Sequence, residues 1–524
     1  MKKNILIILM LAPVLGFISA CKKSSFDSKY YNPEKSTRAT IDGLYTGVFK
    51  NRRVFPDYWN LWTFVSSTLG AYTQTTGTFS DGRRYEQPGG YLQDRWDDFY
   101  TANPGGGNWT SPLSNYREME KLYNALESDA ERQGYQLFMQ TARIFLYDQA
   151  IQMVDMWGDI PFSKAGALNA TGELVLPSYD NAKDVYDSAL TNLKAISEWL
   201  ANVQPSSFYL SKLTKQDILL KGDLLKWRRY ANSLLLRLAM RISYVDETRA
   251  RILVQEILGN PTLYPVLSDN NTDNVQLTAG KPDLVSDLRN AFNENRNYAP
   301  DYMVDSLLEP SGDPRLRIFY TKNKNGIYQG LPKTMNRAQQ DSMISNRLVS
   351  VMDSTTFVQN QFFPGIVFTV AEVNFLKAEA YERWGGGSAK TYYDLGIRQS
   401  IVYYYRIHEL SEYGTHQTPY TESEITLLLA HPLVAYGTVR ETNLNKIGLQ
   451  KWVNFHVMQN NQAWAEMRRS GYPKLWFPTD PSSAIVPTPA YRIQYPANER
   501  SRNAENYAKV ADKDKAYTKI FWMP

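Results

Sequence analysis

Apolar residues recur at helical spacing through long stretches of the chain. In residues 135–157 they fall on one stripe that includes Phe138, Ala142 and Phe145, which is the pattern of an amphipathic helix. Residues 224–243 repeat the pattern, with arginines on the other faces. The same criterion predicts further helices at 181–200, 247–258, 370–384, 389–407 and 448–468. The expected fold class is therefore mainly α, with little β.

Several of these helices share one spacing of small and large residues. An alanine is followed at +4 by a large residue and at +7 by a small or apolar one. This occurs at Ala182/Tyr186/Ala189, Ala250/Val254/Ile257 and Ala389/Tyr393/Gly396, and more loosely at Ala463/Met467/Ser470. The spacing matches the second helix of a tetratricopeptide hairpin, but the steady repeat of about 34 residues is missing. We therefore predict a scaffold of tetratricopeptide-like helical hairpins, interrupted by long irregular insertions.

The insertions are rich in Gly, Pro, Asn and aromatic residues. They lie near 52–115, 259–365 and 408–446, and an irregular tail covers 470–524. The prolines of the tail rule out long helices there. We predict a single domain over 37–524, with binding surfaces on its loops, because loops vary while a helical scaffold stays rigid.

The N-terminus has the pattern of an export signal. Lys2 and Lys3 precede an apolar run over 5–18, which is long enough for a signal peptide and short for a membrane span. The run closes with ISAC at 18–21, which resembles a bacterial lipobox. We predict a signal peptide at 1–20, lipidation of Cys21 and a lipidated tether at 21–36. The alternative is an ordinary secretory signal with a chance cysteine.

Composition narrows the function classes. Cys21 is the only cysteine among 524 residues, which favours an anchor over a disulfide or a thiol nucleophile. The net charge of +5 falls by two when the signal peptide leaves, and no dense Lys/Arg block is present, so nucleic acid is not an expected partner. The chain is rich in aromatic residues, with 36 Tyr and 12 Trp, which suit partly exposed binding surfaces.

Motifs for catalysis are missing from the sequence. The four histidines, His408, His416, His431 and His456, lack zinc-site spacing and have no cysteine to join them. Neither a G-x-S-x-G elbow nor a Walker loop is present. The stretch SDNNTDN at 268–274 is rich in oxygen ligands for calcium, but it lacks the spacing of an EF-hand. We expect no enzyme activity and no cofactor, with calcium left open.

Sequence blocks along nearly the whole mature chain resemble one protein family. They are MVDMWGDIPFSKA (153–165), PSYDNAKDVYDSALTNL (177–193), LLKWRRYANSLLLRLAMRIS (224–243), SLLEPSGDPRLRIFY (306–320), IVFTVAEVNFLKAEAYERWG (366–385), LQKWVNFHVMQNNQAWAEMRRSGYPKL (449–475) and RIQYPANERSRNAENY (492–507). In this order, and behind a lipobox, the blocks resemble the SusD/RagB family of outer-membrane lipoproteins of Bacteroidetes, nearest its SusD-like branch.

The resemblance implies a function. Family members bind a nutrient, usually a glycan and in some branches a peptide, and deliver it to a SusC-like TonB-dependent transporter. They are binding proteins, lipid-anchored in the outer membrane and facing the cell surface. One departure concerns the leaflet: surface lipoproteins of this phylum often carry acidic residues after the cysteine, whereas Lys22 and Lys23 follow here. The sequence therefore does not decide which leaflet of the outer membrane holds the anchor.

Candidate ligand-binding residues lie mainly in two aromatic-rich stretches, 53–74 and 89–111. Sugars present C–H faces that pack on flat rings, and hydroxyls that Asn, Asp and Arg bond. By contrast, Trp59 and Trp62, three residues apart, are expected to share a buried helix face. The candidates are Tyr72, Tyr91, Arg95, Trp96, Asn108 and Trp109, with Tyr298 from the stretch RNYAP at 296–300.

Other functions remain open on the sequence alone. Aromatic loops suit the apolar side chains of a peptide as well as a glycan. A surface glycoside hydrolase or peptidase is a further alternative, because many Asp and Glu residues are available to pair as acid and base. A tetratricopeptide scaffold that binds only protein is another.

Overall fold

Helices make up most of the structure, as the apolar periodicity predicts. The computed structural model describes residues 39–101, 109–168, 172–280, 285–293, 297–480, 483 and 485–524, and it is 57% helical. The helices are α1 (Ile41–Phe49), α2 (Gly89–Tyr100), α3 (Pro112–Asn124), α4 (Asp129–Trp157), α5 (Ala182–Asn202), α6 (Ser207–Gln216), α7 (Leu224–Arg241), α8 (Glu247–Gly259), α9 (Leu288–Asn293), α10 (Arg337–Ser345), α11 (Val370–Trp384), α12 (Ala389–Glu409), α13 (Glu422–Ala430), α14 (Arg440–Phe455), α15 (Asn460–Ser470) and α16 (Ala497–Arg502).

Shorter elements connect these helices. Single helical turns occur at Tyr58–Asn60, Gly70–Thr73, Glu309–Ser311, Leu316–Phe319 and Ala504–Tyr507, π-helical turns at Leu61–Leu69, Tyr302–Leu308 and Ser354–Val358, and 3₁₀ turns at Asn271–Asp273 and Ala511–Lys513. Strand β1 (Val275–Leu277) pairs antiparallel with β4 (Gly365–Phe368), and β2 (Tyr320–Thr321) with β3 (Val351–Met352). The described residues thus contain only two small two-stranded sheets, and the mainly α fold class is confirmed.

The predicted hairpins pack through their small residues. Helix α5 packs along α7, and α11 along α12 and α14. At Gly396 of α12, a Cβ atom would lie 2.6 Å from Cε1 of Phe375 in α11, so only glycine allows this approach. Tyr393, one turn earlier, is fully buried. The spacing of small and large residues therefore marks the packed faces, as the sequence predicts.

Buried charges tie the scaffold together at its centre. The Arg469 guanidinium bonds Glu379 through Nη2 and Oε2 at 2.7 Å, and Glu466 through Nη2 and Oε2 at 2.6 Å. Lys451 Nζ lies 2.7 Å from Glu466 Oε2. Burial raises the pKa of Glu466, but the charges of Arg469, Lys451 and Arg241 outweigh it, so this pKa lies well below its usual value. Arg469 therefore serves packing and ion pairing.

Four regions differ from the sequence prediction. The insertion near 52–115 contains a helical segment over 58–73, α2 and the start of α3. The insertion near 259–365 contains α9 and α10, and the insertion near 408–446 contains α13. The helix predicted at 448–468 is two helices, α14 and α15, because the chain turns at His456, where φ is +45°. The imidazole of His456 is buried among the rings of Phe319 and Phe357, and this packing sets the break.

The residues from Ile41 to Pro524 group into one compact unit. The tail from 470 onward contains only short helical turns among its described residues, as its prolines require. In the part of the chain that the structure describes, no helix is both long and apolar enough to cross a membrane.

Candidate functional site

Four aromatic side chains form a half-exposed group on the helical segment 58–73 and on α2. We call Tyr58, Trp59, Trp62 and Tyr91 the aromatic cluster. The rings of Tyr58 and Trp62 stack with centroids 6.2 Å apart and planes at 13°. Tyr91 meets Trp59 and Trp62 edge-on, at centroid distances of 5.7 and 5.3 Å. Each of the four is half-buried, so the cluster offers ring surface to solvent.

The backbone of segment 58–73 explains why the cluster is exposed. Asp57 caps the segment, since its carboxylate accepts from Asn60 N. The following turns are π-helical, with Gly70 N bonded to Val65 O, and Ser66 Oγ donates to Leu61 O at 2.8 Å. Isolated π turns are frequent at functional sites. This widened helix buries its other face and leaves the tryptophans at the surface.

Trp59 is held in place by a neighbouring carboxylate. Its indole Nε1 donates to Asp94 Oδ2 on α2 at 2.7 Å. Trp59 and Trp62 do share a face, as predicted, with ring centroids 5.7 Å apart. The prediction that this face is buried is wrong, because both rings are only half-buried.

A cavity of about 390 Å³ opens beside the cluster, and Tyr91 lines it. Its walls come from the π-helical segment and from the loop 76–88. We call it the loop cavity. It is lined by Ser66, Ser67, Ala71, Thr76, Gly77, Thr78, Phe79, Asp81, Arg83, Arg84, Glu86, Pro88 and Tyr91.

The loop that encloses the cavity is fixed by contacts to distant parts of the chain. Arg84 donates from its backbone N to Asp480 Oδ2 at 3.0 Å and from Nη2 to Lys333 O at 3.1 Å. Ser80 Oγ donates to Met335 O at 2.7 Å. The Tyr85 hydroxyl donates to Pro478 O at 2.9 Å. The cavity is therefore preformed by side-chain bonds.

The chemistry of the loop cavity suits an uncharged, hydroxyl-bearing ligand. Its two acidic side chains, Asp81 and Glu86, balance its two arginines, Arg83 and Arg84. Arg83 and Glu86 extend into solvent, with 79% and 49% of their side chains exposed. Flat rings offer surface for C–H faces, and the exposed polar groups offer donors and acceptors for hydroxyls.

One predicted residue, Tyr91, lines this cavity, and a second, Tyr298, packs against its wall. Tyr91 joins the aromatic cluster to it, and Tyr298 flanks it through Phe79, with ring centroids 5.8 Å apart. The Tyr298 carbonyl also accepts from Gly77 N at 2.8 Å. Burial raises the pKa of Tyr298, so its hydroxyl stays protonated and keeps its donor at neutral pH.

Three predicted residues lie in the interior instead, and their burial does not support the prediction that they contact a ligand. Trp96 is 2% exposed and packs edge-on against Trp157. Tyr72 is 1% exposed and donates from its hydroxyl to Tyr85 O at 2.9 Å, so it supports the loop from below. Arg95 is 4% exposed. In each case the side chain lies on the face of a helix that is directed to the core. The neighbouring residues in the sequence do not reveal this.

The remaining predicted residues do not join the cavity. Trp109 is half-buried, and its ring packs on Phe55 with centroids 5.4 Å apart. Asn108 falls outside the described residues, as does Cys21.

Metal ligands do not gather anywhere in the described ranges: no group of three or more His, Cys, Asp or Glu residues is positioned to hold an ion. In the SDNNTDN stretch, Asp273 Oδ2 accepts from Arg229 Nη1 at 2.7 Å and from Ser268 N at 3.1 Å. His408 and His456 are both buried.

Sequence reasoning missed the tryptophans of the cluster and most of the loop 76–88. A signal was present in the stretch YWNLW at 58–62, followed by the hydroxyl-rich SST at 66–68. Hydroxyl side chains that bond back to the helix carbonyls often bend helices.

Comparisons with known proteins agree with this architecture. A family profile described as "Starch-binding associating with outer membrane" matches residues 50–496. Among solved structures, a chitin-binding protein is 22% identical, with a TM-score of 0.74 over 92% of this chain and 100% of that one. A SusD homolog from Bacteroides fragilis is 18% identical, with a TM-score of 0.71 over 93% and 100%.

A chitin-binding SusD homolog from Flavobacterium johnsoniae is 19% identical, with a TM-score of 0.67 over 92% of this chain and 98% of that one. A search of the curated proteins found no match. At these identities the solved structures establish the shared fold, while the profile covers most of the sequence. The chain therefore belongs to the SusD-like family.

Proposed function

We propose that this protein is an outer-membrane lipoprotein that binds a nutrient glycan at the aromatic cluster and the loop cavity, and delivers it to a SusC-like TonB-dependent transporter. The family description names starch, and two of the similar structures are of chitin-binding proteins. Both are neutral or weakly charged polysaccharides, which fits the balanced charges of the loop cavity.

One observation carries the proposal: half-exposed tryptophans stand directly beside a preformed polar cavity through the shared residue Tyr91. Pyranose rings need such a combination, with flat apolar surface next to hydrogen-bonding groups. A cavity of this size falls within the range of small-ligand sites. Longer chains extend from the cavity along the cluster.

Calorimetry tests the binding step. Malto-, chito- and xylo-oligosaccharides are titrated into the protein, together with neutral peptides of similar length. We expect one glycan class to bind, and Trp59→Ala to weaken its affinity by about tenfold, the loss expected for one stacked ring.

Trp384→Ala is the matched control. Trp384 is also half-buried, and its Nε1 donates to Glu247 Oε1 at 2.9 Å, just as Trp59 donates to Asp94. We expect glycan affinity to be unchanged in the control. Peptide binding that depends on Trp59 would favour the peptide-binding branch, and equal losses in both variants would reject this site.

Delivery and anchoring need separate experiments. Mass spectrometry of the mature N-terminus is expected to find an acylated Cys21, and gentle membrane solubilisation is expected to recover this chain with a transporter. An unmodified thiol would reject the anchor, and recovery of the free monomer from fully expressing cells would argue against the transporter.

The proposal also expects binding without catalysis. Incubation of the purified protein with polysaccharide and peptide pools should release no product. Release of defined fragments by the purified protein would favour the hydrolase alternative.

A further inference from the structure

A second cavity, much smaller, lies between the start of segment 58–73, α2 and the turn before α15. Its volume is about 30 Å³, and it is lined by Arg53, Asn60, Phe64, Arg95 and Asn460 among others. A single water needs about 10–15 Å³ of such volume. The cavity therefore has room for two or three waters or for one larger monatomic ion, and a sugar ring or a peptide side chain does not fit.

Two buried guanidinium groups line this cavity, and neither is fully bonded. Arg53 is 6% exposed and Arg95 is 4% exposed. Arg53 donates from Nε to Gln149 Oε1 at 3.2 Å and from Nη1 to Arg95 O at 2.8 Å, which leaves its buried Nη2 without an acceptor. Arg95 donates from Nη1 to Asn60 Oδ1 at 3.2 Å, and its buried Nε lacks an acceptor.

Carboxylates do not neutralise this pair directly. Asp98 is bonded at Oδ1 to Arg52 Nε at 2.6 Å. Asp57 also lines the cavity, and its Oδ1 accepts from Asn60 N at 3.1 Å. Neither aspartate forms an ion pair with Arg53 or Arg95 among the described residues. Burial lowers the pKa of Arg53 to about 10, although Asp98 opposes the shift. Burial, followed by the charge of Arg53, lowers the pKa of Arg95.

An orphaned N–H on a buried cation is costly, because the group has lost water and gained no acceptor. The faces of Phe64 and Phe99 lie 5.3 and 5.7 Å from the guanidinium carbons of Arg95 and Arg53, which offsets only part of the cost. An anion satisfies the donors and the charge together. Water satisfies the donors alone.

We propose that this cavity binds one small monovalent anion of the halide class between Arg53 and Arg95. Asn460 also lines the cavity, and its Oδ1 is buried without a partner. The anion joins α2 to segment 58–73 through Arg95 and Asn60. Because Asn60 lies between Trp59 and Trp62 in the sequence, the site braces the segment that carries the aromatic cluster.

Bromide tests this directly, since it scatters anomalously and replaces chloride. Crystals of the mature protein grown without halide are soaked in sodium bromide, and an anomalous peak is expected in the cavity, within hydrogen-bond distance of Arg53 Nη2 and Arg95 Nε. Peaks confined to the protein surface would mean an adventitious ion only and would overturn the proposal. A cavity that holds only water, in crystals whose other bromide sites are fully occupied, would also overturn the proposal.

Thermal unfolding provides the second readout. The midpoint is expected to rise by about 1–3 °C between about 1 and 100 mM bromide, with sodium gluconate holding ionic strength constant. Arg95→Met should abolish this rise, and Arg249→Met, which breaks a surface ion pair with Asp187, should retain it. Equal midpoints of the wild-type protein in bromide and gluconate would overturn the proposal, even if Arg95→Met failed to fold.

Discussion

Acidification should destabilise this protein through one buried histidine. His456 is fully buried between α14 and α15, with its ring centroid 4.3 Å from that of Phe319 and stacked on Phe357 at 18°. Its Nε2 shares a hydrogen bond of 2.9 Å with the Tyr320 hydroxyl, and its Nδ1 is buried without a partner. Burial, reinforced by the charge of Arg315, lowers the pKa of His456 to about 3.

The sign of the effect follows from this depressed pKa. In the unfolded chain the imidazole takes up a proton below about pH 6.5, while the folded protein keeps it neutral until about pH 3. Folding therefore excludes a proton that the unfolded state binds. The contribution to stability is fully present above about pH 6.5 and is lost as the pH falls from there.

The magnitude follows from the same two values. At about pH 4.5 the protonated imidazole outnumbers the neutral form about 100-fold in the unfolded chain, whereas the imidazole of the folded protein is still neutral. This difference lowers the free energy of unfolding by about 2.5 kcal/mol relative to pH 7.

Urea unfolding at about pH 7 and pH 4.5 measures the loss, with His456→Phe as the reference. The variant keeps a ring between Phe319 and Phe357 but has no proton to bind, and all carboxylates titrate alike in both proteins. The wild type should lose about 2.5 kcal/mol more than the variant. Equal losses in the two proteins would refute the reasoning.

Two further predictions concern the scaffold. Glu466→Gln should lower the free energy of unfolding by about 3–5 kcal/mol, because it leaves Arg469 partly unpaired in the core. Glu441 forms an exposed ion pair with Lys474, so Glu441→Gln should leave the thermal midpoint unchanged. A similar drop of the thermal midpoint in both variants would contradict the role of burial. Gly396→Ala should destabilise by about 1–3 kcal/mol through the clash described above. Gly259→Ala is the control, because its new Cβ would lie in open space. If chemical denaturation showed the same loss of unfolding free energy for both variants, a steric clash at Gly396 would be ruled out as the cause.

Local pattern was enough to predict the scaffold. The helices α5, α7, α8, α11 and α12 follow the predicted ranges closely, because each alternates buried and exposed faces over several turns. The small residues at their crossings were equally visible, since close packing of helices demands them.

Long-range packing determined what the sequence could not reveal. The break at His456 depends on rings from residues 319 and 357, more than a hundred positions away in the first case. Trp96 and Trp59 have similar polar neighbours in the sequence, yet one is buried against Trp157 and the other is half-exposed beside Tyr91. Which of the two tryptophans is exposed to solvent depends on the helix that packs against it, and the neighbouring residues in the sequence do not reveal this.

The bonds that fix the loop 76–88 have a consequence for the order of folding. Tyr85 and Gln87 bond the carbonyls of Pro478 and Arg492, about 400 positions later. The loop 76–88 therefore cannot make these bonds during synthesis until the segment from Pro478 to Arg492 has been made and has packed against it. A chain truncated before Pro478 would lack both bonds, and with them part of the support of the loop cavity.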